Sequence, residues 1–152
     1  MTEQLFFSTE TSTVIKWLGL NPSLAKENGN SRYLYWLILK SGLTGRAIEA
    51  FSKHSGLTQV ELSKILNLSE RTLQRKGEKE PISFVTSDKL IELVRLFHKG
   101  IGVFNRQEAF LEWLHRNNRA LNGEKPLLLI ESNLGIELVI DELERIEHGI
   151  IS

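Results

Sequence analysis

An all-α fold is what this 152-residue sequence predicts. Apolar residues recur at helical spacing in one segment after another. Most of these segments open on Ser, Thr or Asn and stop at Gly or Asn, the residue types that cap helices. No pair of alternating segments joined by turn residues occurs, so nothing calls for a sheet. The expected architecture is a helix-turn-helix bundle followed by a small helical domain. Its parts are an N-terminal segment over 1–38, partly mobile and without an assigned role, a helix-turn-helix region over 39–80, and a C-terminal domain over 81–152.

In order, Met1–Asn30 offers one short helix around Val14, Ile15, Trp17 and Leu18, ending near Gly19. The first ten or so residues are expected to be mobile, and Glu27-Asn-Gly-Asn-Ser31 reads as a loop. Tyr33–Leu39 is a dense apolar run whose length suits a buried helix or a strand; its helical surroundings favour the helix. Thr44 is expected to cap a helix with Ala47, Ile48 and Phe51 on one face and Gly56 as its stop.

Leu57–Gly77 reads as two short helices around a tight turn. Thr58 and Glu61 stand at capping-box spacing, and Leu62, Ile65 and Leu66 share one face. Asn67 tolerates the left-handed backbone of a turn, Leu68 can plug the core, and Ser69 caps the second helix. That helix, Glu70–Lys76, keeps Leu73 and Thr72 for the inside and turns Arg71, Gln74, Arg75 and Lys76 outward; Gly77 ends it.

Beyond the break at Glu80-Pro81, Thr86 or Ser87 is expected to cap a helix running to His98. Leu90, Ile91, Val94 and Phe97 form its buried stripe, and Gly100 and Gly102 terminate it. Asn105 should begin the next helix, with Glu108 at the capping-box position and Ala109, Phe110, Trp113 and Leu114 inside. Pro126 suits a first helical position before a short turn over Leu127–Ile130. Ser132 caps the last helix, which ends near His148 with Gly149 as stop. Leu138, Val139, Leu143 and Ile146 should face inward, while Glu137, Asp141, Glu144 and Glu147 stay wet.

Charge divides the chain where its total does not. The formal net charge is zero, yet residues 40–79 hold eight Lys/Arg against four Asp/Glu and residues 120–152 hold two against seven. The first surface is cationic and the second acidic, which suggests two different partners. A short helix with one apolar anchor and a cationic outer face suits a DNA major groove. The bland alternative is a solvated basic helix; the two caps around the turn favour DNA. The DNA-facing set is Thr58, Gln59, Ser69, Arg71, Thr72, Gln74, Arg75 and Lys76, with Gln59 on a phosphate. One such motif offers few contacts, and regulators of this kind read two half-sites as symmetric dimers. Tyr33, Tyr35 and Trp36 are therefore assigned to a homodimer interface, with ordinary core packing or, less favoured, a ligand pocket as the alternatives.

Other classes find little support. No apolar run approaches the roughly 20 residues of a membrane span, and the N-terminus does not read as a signal peptide. The absence of cysteine fits a reducing cytoplasm. His54, His98, His115 and His148 lack metal-ligand spacing, and no nucleophile elbow or phosphate-binding glycine loop occurs. No catalytic residue, metal or cofactor is expected. A ligand-responsive repressor without a protein partner remains an alternative, as does an adaptor whose helix-turn-helix no longer binds DNA.

Taken together the chain resembles the Xre/MbcA/ParS-type antitoxins, from about Leu39 to Ile150. Gly56-Leu-Thr-Gln-Val-Glu-Leu and Arg71-Thr-Leu-Gln-Arg-Lys are shared by many regulators. More specific are Ser87-Asp-Lys-Leu, Trp113-Leu and Ala120-Leu-Asn-Gly-Glu-Lys-Pro-Leu-Leu-Leu-Ile, then Ser132, Gly135, Val139 and Arg145-Ile-Glu-His-Gly149. The resemblance implies an Xre-like helix-turn-helix, a toxin-binding domain, and a homodimer that neutralises a RES-domain toxin by contact and represses its own operon. RES toxins are implied to attack NAD, and that chemistry would belong to the partner. Toxin contact is then expected on Glu144, Glu147, His148, Ile150, Ile151 and Ser152, an acidic helix with an apolar, anionic tip that could enter a cationic NAD pocket. Local packing is the alternative for the two isoleucines.

Overall fold

The computed structural model describes residues 2–26 and 31–149, with side chains over 9–25 and 31–149. The turn expected over 27–30 and the tail residues Ile150, Ile151 and Ser152 lie outside the described residues. Within them there is no β-strand, only an isolated bridge between Thr44 and Pro81. The helices are α1 (Thr2–Trp17), α2 (Ser31–Ser41), α3 (Gly45–Ser55), α4 (Gln59–Leu66), α5 (Glu70–Arg75), α6 (Phe84–Phe104), α7 (Gln107–Leu114), α8 (Pro126–Leu129) and α9 (Asn133–Glu147). Short 3₁₀ turns occupy Pro22–Lys26 and Arg119–Leu121.

Two compact units, 1–95 and 96–152, divide inside α6 between Arg95 and Leu96. The break at Glu80-Pro81 interrupts the helices, but its backbone is stitched into the first unit. Gly45 N–H donates to the Glu80 carbonyl at 2.9 Å, Arg46 N–H to Glu78 at 3.1 Å and Ile82 N–H to Leu43 at 3.0 Å.

In the first unit Val14, Ile15, Leu18, Leu34, Ile38, Ile48 and Phe51 are buried around α1, α2 and α3. Where a short helix around Val14 to Leu18 was expected, α1 runs from Thr2 to Trp17. Its second half carries a polar anchor that local pattern does not reveal. Glu10 is buried, accepts from the Tyr35 hydroxyl at 2.8 Å and meets the Arg95 Nε at 3.1 Å; Arg95 also pairs with Glu92 at 3.1 Å. Burial disfavours the Arg95 charge, but Glu92 and Glu10 outweigh it and raise its pKa above the usual value. Burial likewise pushes the Tyr35 hydroxyl upward. Here a buried carboxylate is held by partners, as its desolvation requires.

Several boundaries differ from the sequence reading. Thr44 stands at the α3 N-cap position without a side-chain bond; the carbonyls of Glu78 and Glu80 take the exposed amides instead. The cap of α6 is Ser83, whose hydroxyl accepts from Thr86 N–H at 3.1 Å, rather than Thr86 or Ser87. Gly100 and Gly102 do not end α6, which runs on to Phe104. Gly100 is needed because a Cβ there would strike the Phe110 ring. Asn105 adopts a left-handed φ of 65° and separates α6 from α7, which Arg106, not Asn105, precedes as N-cap.

In the second unit Leu96, Phe97, Phe110, Leu114, Ile130, Ile136, Val139 and Leu143 are buried. Phe97 meets Phe110 edge-on at 5.1 Å between centroids, a favoured aromatic geometry. Pro126 opens α8 at the expected first helical position. Gly135 on α9 lies so close to α8 that an added Cβ would collide with the Leu129 carbonyl. That contact sets the phase of α9: Gly135, Ile136, Val139, Glu142 and Leu143 turn inward. Leu138, expected inside, is 45 % exposed as a result.

Candidate DNA-binding and toxin-binding surfaces

The helix-turn-helix is built from local bonds that the sequence spells out. Thr58 Oγ1 accepts from Glu61 N–H at 3.1 Å while Glu61 Oε1 accepts from Thr58 N–H at 3.0 Å, completing the capping box. Asn67 at φ 55° closes α4 in the left-handed region. Ser69 Oγ then accepts from Thr72 N–H at 3.0 Å and opens α5. Leu62, Ile65, Leu66 and Leu73 bury the inner faces of the two helices.

What remains outward is the predicted set, with modifications. Arg71, Gln74 and Arg75 are exposed on α5. Neither guanidinium is paired with a carboxylate among the described residues. Thr72 is half-buried, its hydroxyl 2.8 Å from that of Ser69, so it serves the cap first. Lys76 lies just past α5 rather than within it, and is half-buried. Thr58, Gln59 and Ser69 are exposed at the two helix N-termini, where free amides and the helix dipole favour an anion.

Two residues missed by the sequence reading join this surface. Ser52 Oγ accepts from Gln59 Nε2 at 2.8 Å and so orients that side chain. Lys53 lines, with Ser52, Gln59, Gln74 and Lys76, an open depression of about 400 Å³. Their signal in the sequence was weak: they sit on α3, one helix before the motif.

Of the three aromatics assigned to self-association, Tyr33 and Trp36 are exposed, 54 % and 50 %. Tyr35 is buried in its own chain against Glu10 and the Arg95 guanidinium, 5.4 Å from its ring centroid. It cannot offer its side chain to a second copy.

On the acidic unit, Ser132 Oγ accepts from Gly135 N–H at 2.9 Å and caps α9. Glu144 and His148 are exposed and border, with Asp141 and Arg145, a shallow depression of about 280 Å³. Glu147 pairs with Lys99 at 3.0 Å, which anchors the end of α9 within its unit. The expected tip, Ile150, Ile151 and Ser152, lies outside the described residues. The outer face of α9 shows instead two leucines that the sequence reading did not assign to a partner, Leu134 (67 % exposed) and Leu138. Among the described residues no group of three or more His, Asp or Glu could hold a metal, and no helix is long and apolar enough to cross a membrane.

Comparison with known proteins agrees with this division. Residues 38–95 match the antitoxin Xre-like helix-turn-helix domain, and residues 100–149 match the antitoxin Xre/MbcA/ParS C-terminal toxin-binding domain. A Mycobacterium tuberculosis protein named "Probable mycobacterial cidal antitoxin" is 30% identical over 97 residues, spanning 56% of this chain and 76% of its own. The fold is also similar to a chain in the crystal structure of the M. tuberculosis MbcT-MbcA toxin-antitoxin complex. The TM-score is 0.53 at 18% identity, covering 71% of this chain and 96% of that one. With its capped helix-turn-helix and the acidic helical unit after it, this chain belongs to the Xre/MbcA/ParS family of antitoxins.

Proposed function

We propose that the chain neutralises a RES-type, NAD-consuming toxin by direct contact and represses its own operon, binding operator DNA as a homodimer in the cytoplasm. One observation carries the reading: a helix-turn-helix with outward Arg71 and Arg75, unpaired among the described residues, is joined in one chain to a toxin-binding domain over 100–149. Thr58, Gln59, Ser69 and Lys76 hold the phosphates and Arg71, Gln74 and Arg75 face base edges, with Thr72 supporting the cap. Tyr33 and Trp36 contribute to the contact between copies. Glu144, Glu147, His148 and the tail Ile150–Ser152 meet the toxin. NAD chemistry is the toxin's; this chain contributes shape and charge.

The test is co-expression with the adjacent gene. That gene alone should arrest growth and deplete NAD, and co-expression should restore both. A neighbour that is harmless alone, or that this chain does not silence, would overturn the reading. Deleting Gly149–Ser152 should weaken protection while promoter binding in a gel shift persists; full protection would remove the tail from the contact.

A further inference from the structure

We infer that the outer face of α9 is an apolar docking strip for the toxin, distinct from the acidic end of the helix. The inference rests on the toxin-neutralising reading above. Helices of a small domain normally present one apolar stripe to the core and a polar face to water. α9 carries two. Its inner stripe is Ile136, Val139 and Leu143, all 2 % exposed or less. Its outer stripe is Leu134 and Leu138, one helical turn apart and 67 % and 45 % exposed. Leu128, 54 % exposed, stands on α8, the turn whose backbone abuts α9 at Gly135.

Scattered surface leucines need no explanation, but a pair in register on a rigid, capped helix does. The strip is rigid because of what lies beneath it. Ser132 caps α9, and Gly135 seats it against the Leu129 carbonyl. An interface needs apolar anchors on a preformed element with polar groups around them.

The partner is argued from position and charge. The strip falls inside the stretch that matches the toxin-binding domain. Its rim is acidic: Glu137 and Asp141 are exposed on the same helix, and residues 120–152 carry seven acidic against two basic groups. The complement is an apolar groove bordered by Lys or Arg on the toxin. A second copy of this chain would bring an equally acidic rim and meet like-charge repulsion.

The full-length chain carrying Leu134→Asp and Leu138→Asp is compared with the wild type against the purified product of the adjacent gene, by biolayer interferometry. Leu134→Ala/Leu138→Ala, which retains helix propensity, is measured beside it. Circular dichroism melting checks that both variants fold. Losing two leucines from an interface should lower affinity about a hundredfold or more. The Ala pair should show a smaller loss in the same direction. Glu137→Lys/Asp141→Lys should slow association several-fold at low salt. Toxin affinity within threefold of wild type in a folded Asp variant overturns the strip. So does unchanged toxin affinity combined with lost self-association in light scattering, which would give the strip to a second copy. If the wild type itself does not bind the neighbour's product, the toxin-neutralising reading has failed instead.

Discussion

Replacing Gly135 with Ala sets two physical expectations against each other. By helix propensity alone, Gly→Ala stabilises by at most about 1 kcal/mol. Packing argues the other way, since the new Cβ would collide with the Leu129 carbonyl, a backbone atom that cannot swing aside. Relief requires α8 to lift from α9, and overpacking of this kind costs about 1–3 kcal/mol. The same carbonyl accepts from Ser132 N–H at 3.1 Å, and Ser132 in turn caps α9 through Gly135 N–H. Disturbing that cap adds about 1 kcal/mol. The net expectation is destabilisation of about 1–3 kcal/mol, confined to the 96–152 unit. Urea unfolding gives the magnitude, and amide hydrogen exchange gives the place: α8 and α9 should lose protection while α3–α5 keep it. Gly102→Ala is the control, because nothing lies within 4 Å of its Cβ. It should be neutral or slightly stabilising. A Gly135→Ala protein as stable as wild type would refute the packing account of α9.

Three other perturbations follow from the first unit. Arg71→Ala and Arg75→Ala should each weaken binding to the promoter by about 1–3 kcal/mol if they read bases, as measured by gel-shift titration; wild-type affinity in both would remove α5 as the reading helix. Arg95→Ala strips a partner from buried Glu10 and should cost about 2–3 kcal/mol, discounted from a fully buried pair because Arg95 side-chain exposure is 27%. Urea midpoints check it, and an unchanged midpoint would show that Tyr35 alone satisfies Glu10. The His54 pKa is lowered from 6.5, first by burial and then by Lys16. The folded state therefore binds that proton less readily than the unfolded chain. Its contribution is intact above about pH 6.5 and is lost as pH falls through the folded value. His54→Gln should flatten the dependence of the urea midpoint on acidification, and an equal slope in both proteins would count against it.

Local chemistry was the legible part of this chain. Thr58 with Glu61, Asn67, Ser69, Ser132 and Gly149 all act within three or four residues of themselves, and each was readable from its neighbours. What was hidden depended on distant partners. Gly100 looks like a terminator until Phe110 is found packed against it, and Gly135 becomes a packing residue only beside Leu129. Glu10 finds Tyr35 and Arg95 at separations of 25 and 85 positions, beyond any periodic pattern. Leu138 was misplaced because spacing identifies an apolar stripe without saying which of two stripes meets the core. Tyr35 was misassigned for a related reason: an aromatic run does not show which ring has a buried carboxylate waiting for it.

A helix of six residues cannot hold its own shape in water. α5 is fixed by Ser69 at its start, by Leu73 beneath it, and by Gly45, where any side chain would collide with the Gly77 carbonyl just past its end. None of these is among the outward positions 71, 74 and 75. Retention of the scaffold and choice of operator are thus, on the proposed reading, written in separate letters. On the proposed reading, duplicated modules in one genome could diverge at those three positions, each silencing only its own operon, without any copy having to relearn how to fold.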